Sequence, residues 1–228
     1  MEAPRQGRCL GAIAAPPRQR AAQAALAGVL AEQGVQPQVI QTDRGRCFLG
    51  AREAHRAVPG RLTMWLWSLG ITHRLTPPHR PQANGAVERF HGAVAHSWRG
   101  EPDGLAALLP VWNQGKQPRT PATTDYRGRA GSSPDRVWDQ LRSLRVDRRV
   151  TRQGTIHLWN RSMRVGVAWA EQTVTITTDV QRRRLIVTDE TDTRVCTLAM
   201  DWLTLDWLWE PVAVTDQTPH SGATTKPR

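Results

Sequence analysis

The hydrophobic period of this chain changes near Arg145, and this change constrains the fold more than any other feature. Before Arg145, apolar residues recur every three or four positions between short strand-like runs, which is typical of alternating helices and strands. After it, short β-branched runs follow one another at intervals of about 8–12 residues, which is typical of small antiparallel folds. The pattern predicts an α/β unit over residues 1–144, a small antiparallel β-barrel or sandwich over residues 145–212, of which we expect the β-barrel, and a polar disordered tail over residues 213–228.

The first half is predicted to alternate between strands and helices until a long connection follows it. The predicted elements are a strand at 9–14, a helix at 18–33, a strand at 38–42, a helix at 62–69, a strand at 71–75, and helices at 85–98 and 105–112. Residues 113–134 are rich in Gly, Pro, Arg and Thr and are predicted to be a connection, followed by a short helix near 136–144. Asp43 directly follows the second strand, at the carboxyl end where parallel α/β sheets place ligands.

The charge of the chain indicates a polyanionic partner. The 228 residues carry a formal net charge of +11, and all but two of the 31 basic residues are arginine. The excess favours nucleic acid as the partner, although the preference for Arg over Lys also fits a GC-rich genome. Three widely spaced cysteines suggest neither a disulfide framework nor a zinc site, so a reducing cytosol fits best. No apolar run approaches the roughly 20 residues of a membrane span.

The segment from Ile71 to Gly92 combines a strand, a proline-rich loop, an Asn-Gly turn and a helix that carries Glu88. Glu88 lies one position from the apolar stripe of this helix, in its first turns, where the helix dipole favours an acid. Acids from two different elements can hold the divalent ions that assist phosphoryl transfer, and Mg²⁺ prefers such carboxylate ligands. Taken singly, Asp43 is more often a turn or capping residue and Glu88 a solvated surface acid.

Two segments resemble the motifs of one family. VIQTDRG at 39–45 is similar to the second-acid motif of the DDE transposases and retroviral-type integrases, and PQANGAVERF at 81–90 is similar to their third-acid motif. The resemblance implies an RNase H-like integrase core in which Asp43 and Glu88 are the catalytic residues and the ligands of Mg²⁺ or Mn²⁺. The DNA-binding residues that it implies are His79, Arg80, Asn84 and Arg89.

The resemblance also implies that part of the core is missing. In this family the first acid lies on a strand upstream of the one that residues 9–14 resemble, so we expect an N-terminally truncated core that lacks its first strands. The implied function is metal-dependent phosphoryl transfer in DNA integration or transposition in the bacterial cytoplasm, in association with the nucleoid. The implied partners are DNA and either a second copy or an intact transposase. Two alternatives stay open, a non-catalytic DNA-binding remnant and a decayed fragment that does not fold.

Overall fold

The computed structural model describes residues 19–49, 58–77, 85–97, 111, 114 and 123–213. The predicted strand at 9–14, the predicted helix at 105–112 apart from Val111, and the predicted tail after Ala213 lie outside these residues. Within the described part of the chain, no helix is long and apolar enough to cross a membrane.

Helices and strands alternate in the first half, and their bounds lie close to those predicted from the sequence. The elements are α1 (Gln19–Gln33), β1 (Val35–Pro37), β2 (Val39–Thr42), α2 (Arg46–Leu49), α3 (Arg61–Ser68), β3 (Thr72–Leu75) and α4 (Gly85–Ser97). Gly34 and Gly70 follow α1 and α3 with φ of 64° and 81°. A residue with a Cβ is disfavoured at such angles, so these glycines end the two helices. The short β1 and α2 were not predicted.

A parallel pair of strands, β2 and β3, positions the first predicted acid. Val39 lies opposite Thr72 and Thr42 lies opposite Leu75. Parallel strands need a crossover connection, and this one contains α2 and α3. The middle of α3 is buried completely, with Met64, Trp65 and Leu66 at 0% exposure. The carboxyl ends of β2 and β3 therefore lie at one edge, and Asp43 and Thr76 directly follow them.

The predicted connection at 113–134 contains regular structure where it is described. β4 (Thr123–Asp125) pairs antiparallel with β1, and a single 3₁₀ turn follows at Gly128–Gly131. The next helix, α5 (Pro134–Leu141), begins two residues earlier than predicted. Its start follows from local chemistry, because the Ser133 hydroxyl accepts a hydrogen bond from the backbone N–H of Asp135 at 3.1 Å and Pro134 occupies the first helical position.

The second half contains the predicted antiparallel strands in an open arrangement. The strands are β5 (Arg145–Arg149), β6 (Thr155–Leu158), β7 (Arg161–Arg164), β8 (Thr173–Asp179), β9 (Arg184–Thr188) and β10 (Arg194–Ala199). Four of them form a sheet in the order β10-β9-β8-β5, whereas β6 and β7 form a separate hairpin. Where we expect a closed barrel, the described strands form an open sheet, because β5 and β10 each pair with only one strand and not with each other.

A final helix, α6 (Leu205–Ala213), was not predicted and packs against the first half of the chain. The Trp65 and Trp209 rings meet edge to face, with centroids 5.6 Å apart, and Gln23 Nε2 donates a hydrogen bond to the Leu208 carbonyl oxygen at 2.6 Å. Buried apolar residues from Ala27 to Trp209 form one continuous core. The strand-rich segment predicted to begin at residue 145 therefore shares its core with the preceding elements.

Candidate functional site

Asp43 is fixed at the carboxyl end of β2 by a tight turn. Its Oδ1 accepts a hydrogen bond from the backbone N–H of Gly45 at 2.7 Å, which is the local turn that Asp commonly makes two residues ahead. A Cβ at position 45 would lie only 2.8 Å from the same Oδ1, so glycine permits this close approach. The Asp43 side chain is exposed, and the turn does not use its second oxygen. Asp43 can therefore present Oδ2 to a ligand in solvent.

The next residue, Arg44, ties the end of β2 to the end of β3. Its Nε donates to the Thr76 carbonyl oxygen at 3.1 Å. Thr76 in turn contacts Thr42, because its backbone N–H and its hydroxyl both donate to the Thr42 carbonyl oxygen, at 2.9 and 3.0 Å. These bonds hold the carboxyl ends of β2 and β3 in register next to Asp43.

A polar network centred on His73 lies directly beneath this edge. His73 Nε2 is 2.8 Å from the hydroxyl of Thr42, and its Nδ1 is 2.8 Å from the hydroxyl of Thr63. Thr42 Oγ1 also lies 3.0 Å from the Asp43 carbonyl oxygen, to which it donates. The Thr42 hydroxyl then accepts from Nε2–H, and Nδ1 accepts the proton of Thr63. Both threonines are 9% exposed, so this buried network contacts the turn at Asp43 through Thr42.

Taken from the sequence alone, His73 is most simply a surface residue, whereas the structure places it half-buried in this network. The alternation of β3 gives the reason, because His73 and Leu75 share the less exposed face whereas Thr72 and Arg74 face solvent. The strand period could have identified it from the sequence. Its partners come from β2 and α3, and the sequence gives no signal for those contacts.

We expect the stability of the chain to depend on pH through His73. Burial lowers its pKa below the ordinary value of about 6.5. Below about pH 6.5 the unfolded chain therefore binds a proton that the folded chain excludes, so stability falls as the pH falls and is unaffected above this value. A His73→Gln variant will lose less of its Tm between pH 7 and pH 5 than the parent chain does.

The matched control for this experiment is His157→Gln, because His157 is an exposed histidine on β6. Thermal unfolding followed by circular dichroism at several pH values measures the effect as a difference in slope. Equal slopes for the parent chain and for His73→Gln would contradict the assignment.

Cys47 lies near Asp43, and its thiol is a poor metal ligand at neutral pH. A Cβ placed on Gly45 would be 3.5 Å from Cys47 Sγ and 2.8 Å from Asp43 Oδ1, so the two side chains flank the same turn. Burial raises the pKa of the thiol, and the negative charge of Asp43 raises it further. Because the thiolate is the form that binds metals, Cys47 does not compete with Asp43 for a cation.

Glu88 lies in the first turn of α4 and its side chain is exposed, as is that of Arg89. Phe90, the next residue, is buried at 8% exposure. Among the described residues, no group of three or more His, Cys, Asp or Glu side chains could hold a metal ion. That Asp43 and Glu88 bind one common ion as a pair stays a prediction.

The remaining predicted DNA-binding residues, His79, Arg80 and Asn84, lie outside the described residues. Arg89 lies next to Glu88 in sequence. Arg74 is exposed on β3, opposite Gln41 of β2. Arg44 and Arg74 therefore place two guanidinium groups on the strand pair that carries Asp43, and sequence analysis had identified neither of them.

Comparison with known proteins gives no family for this chain. No protein-family model matches the sequence, and no curated protein matches it. Membership of the integrase family, which the motifs at 39–45 and 81–90 resemble, therefore stays a prediction.

Proposed function

We propose that this chain acts in DNA integration or transposition, with Asp43 and Glu88 as ligands of one divalent ion in a DDE-type, RNase H-like site. The observation that carries the proposal is the position of Asp43. This acid is exposed at the carboxyl end of a strand that runs parallel to its neighbour, where α/β folds place their ligands. The turn at Gly45 and the Arg44–Thr76 bond fix its backbone, so the carboxylate is held in place before a ligand binds.

The donor set fits Mg²⁺ or Mn²⁺. Mg²⁺ is commonly held by one or two carboxylates, with water and phosphate oxygens in its other positions, and Asp43 and Glu88 are both exposed carboxylates. When bound, such an ion stabilises negative charge on the oxygens of a reacting phosphodiester. Asp43 and Glu88 would hold the ion, and no described cysteine or histidine is needed.

The basic residues of this region would hold the DNA. Arg44 directly follows Asp43, Arg74 lies on β3 beside β2, and Arg89 follows Glu88 on α4, and all three are exposed. A guanidinium group donates two parallel hydrogen bonds to a phosphate and keeps its charge at every physiological pH. These residues would therefore position the sugar–phosphate backbone beside the acids, and they carry no information about base sequence.

The central test is whether the two acids share one ion. Mn²⁺ affinity is measured from the electron paramagnetic resonance signal of the free ion for the parent chain, Asp43→Asn, Glu88→Gln and the double variant. We expect each single variant to lower the affinity about tenfold, which corresponds to about 1.4 kcal/mol. The double variant will bind the ion no more than about twofold more weakly than a single variant, because removal of either ligand already breaks the shared site.

The control removes the same charge elsewhere. Glu190 and Asp201 are exposed acids of the second half, so the variant Glu190→Gln with Asp201→Asn loses two negative charges without touching the site. We expect its Mn²⁺ affinity to equal that of the parent chain. Additive losses at Asp43 and Glu88, or a loss as large in the control, would show that the two acids do not bind a common ion.

The net charge of +11 favours a second function, DNA binding without catalysis. Supercoiled plasmid distinguishes the two functions. Nicking in Mn²⁺ that is lost in Asp43→Asn and in Glu88→Gln assigns catalysis to the pair. Binding of the plasmid without nicking, equal in the parent chain and in both variants, assigns the second function.

A further inference from the structure

A cavity of about 420 Å³ lies between α1, α3, α6 and the turn of the β6–β7 hairpin. None of the residues that line it belongs to β2, β3 or α4. Its size lies within the range of about 300–1,000 Å³ that is usual for small-molecule sites. Arginine, tryptophan and glutamine side chains make up most of its lining.

Three arginines line this cavity, and two of them form ion pairs with one carboxylate. Arg61 donates to Glu210 at 2.9 Å, and Arg20 lies 3.4 Å from the other oxygen of the same carboxylate. Arg161 lines the cavity from β7 and is exposed. Burial lowers the pKa of Arg61, Glu210 opposes this effect, and the positive charges of Arg20 and Arg161 add to the lowering. The three arginines are therefore close enough to repel one another, and the cavity keeps a local charge excess of two.

Tryptophan rings form the other part of the wall. The Arg61 guanidinium lies 4.5 Å from the centroid of the Trp207 ring, and Trp159 lines the cavity from the hairpin turn. Trp159 and Asn160 are the two central residues of this turn, with φ of 49° and 58°. Turns of this type usually contain Asn-Gly, and a bulky residue at positive φ is strained. The Trp159 indole N–H donates to the Pro59 carbonyl oxygen at 3.0 Å. This bond holds the indole ring in the cavity wall despite the strained backbone at this residue.

Polar atoms without partners are concentrated at this cavity. Gln19 Nε2, Gln23 Oε1 and Arg61 Nε are buried and have no hydrogen-bond partner among the described residues. Gln23 is 0% exposed, and the bond from its Nε2 to the Leu208 carbonyl oxygen fixes the orientation of the amide. Leaving buried donors and acceptors unpaired costs stability, and three of the seven such side-chain atoms in the described part of the chain belong to residues that line this cavity.

We propose that this cavity binds a nucleotide, with its phosphate on the arginines and its base against Trp207. Phosphate oxygens would accept from Arg20 and Arg161 and from the unpaired donors on Gln19 and Arg61. An indole ring is a good stacking surface for a base. A simple anion would leave the ring unused. The proposal depends on neither Asp43 nor Glu88.

A nucleotide can come from a free mononucleotide or from an unpaired DNA strand, and three probes distinguish these sources. A fluorescein-labelled single strand of about a dozen nucleotides is titrated with the full chain and followed by fluorescence anisotropy. The same strand with abasic sites keeps the phosphates and removes the bases. Unlabelled dAMP is added as a competitor. We expect the abasic strand to bind about tenfold more weakly, because it has no base to stack on the indole ring.

The variant that tests the cavity is Arg20→Gln with Arg161→Gln. Both side chains are exposed, so the fold is expected to tolerate their replacement. Each removes a charge-assisted hydrogen bond to phosphate, and we expect the pair to weaken binding of the intact strand by about 100-fold. The control is Arg142→Gln with Arg182→Gln, since these arginines have side chains that are 73% and 69% exposed in local ion pairs away from the cavity. The control will lose less than about threefold, because only screened attraction is removed.

Competition by dAMP supports a site for free nucleotides, and binding of the intact strand without such competition supports a site for an unpaired strand. Equal losses in the cavity variant and in the control would show that binding follows net charge alone and would overturn the proposal. Equal affinity of the parent chain for the intact and the abasic strand would also overturn it, and this comparison needs no variant.

Discussion

Raising the salt concentration from about 50 to about 200 mM will weaken the binding of duplex DNA to this chain by about 10³-fold or more. The formal net charge is +11, and nearly all of the positive charge is on arginine. Each phosphate that a basic residue neutralises releases a counterion, and a protein that makes about 6–10 such contacts loses about 10³–10⁵ in affinity over this range. Anisotropy titrations of a labelled duplex at five or six salt concentrations give the slope directly.

The same titrations show whether the region around Asp43 contacts the DNA. Arg74→Gln with Arg89→Gln removes two exposed arginines from β3 and α4, and we expect the slope to fall by about 2, since each substitution leaves one phosphate without its arginine. Arg129→Gln is the control, because Arg129 forms an ion pair with Asp206 of the second half and lies on neither β3 nor α4. We expect its slope to equal that of the parent chain. A slope near zero in the parent chain would contradict nucleic-acid binding. An unchanged slope in the double variant would place the DNA elsewhere on the surface.

Replacing Leu208 with alanine will lower the free energy of unfolding by about 2–5 kcal/mol. Leu208 is 0% exposed on α6, and its carbonyl oxygen accepts the hydrogen bond from Gln23 of α1. Removal of its side chain therefore leaves a cavity where the last described helix meets the first. Urea unfolding, followed separately by tryptophan fluorescence and by far-ultraviolet circular dichroism, measures the change.

The control for Leu208→Ala is Val167→Ala, because Val167 is 60% exposed and its truncation will change stability by less than about 0.5 kcal/mol. Since one core runs from Ala27 to Trp209, we expect the two probes to give one coincident transition in the parent chain. Two separate transitions would contradict the shared core. A chain without any cooperative transition would favour the interpretation that it is a decayed fragment.

The sequence predicts the elements of the first half because their signals are local. The three- or four-residue apolar spacing of α1, the stops at Gly34 and Gly70, and the short runs of β2 and β3 are each contained within one element. The position of Asp43 follows from the same local pattern, since it directly follows β2. No pairing between distant segments has to be known for these predictions.

The predictions fail where the structure depends on contacts between distant residues. β4 is three residues long, and it is a strand because β1 pairs with it. The helix α6 follows a run of strands, and its packing against α1 and α3 decides its structure, so the strand period of the preceding residues was misleading. Among the described strands, β5 and β10 do not pair with each other, so the sheet is open where a β-barrel was expected. The arginine–tryptophan cavity draws on α1, α3, the hairpin and α6, and no motif joins them.

The contact between Gln23 and Leu208 has a consequence for synthesis of the chain. The two residues are 185 positions apart, and at about 5–20 residues per second the ribosome needs roughly 10–40 s to pass from one to the other. During this interval the inner sides of α1 and α3 have no partner from α6, and Trp65 lacks the ring of Trp209. The nascent polypeptide therefore completes this part of its interior only after α6 has been synthesised, and chaperones that bind apolar segments have that time to act on it.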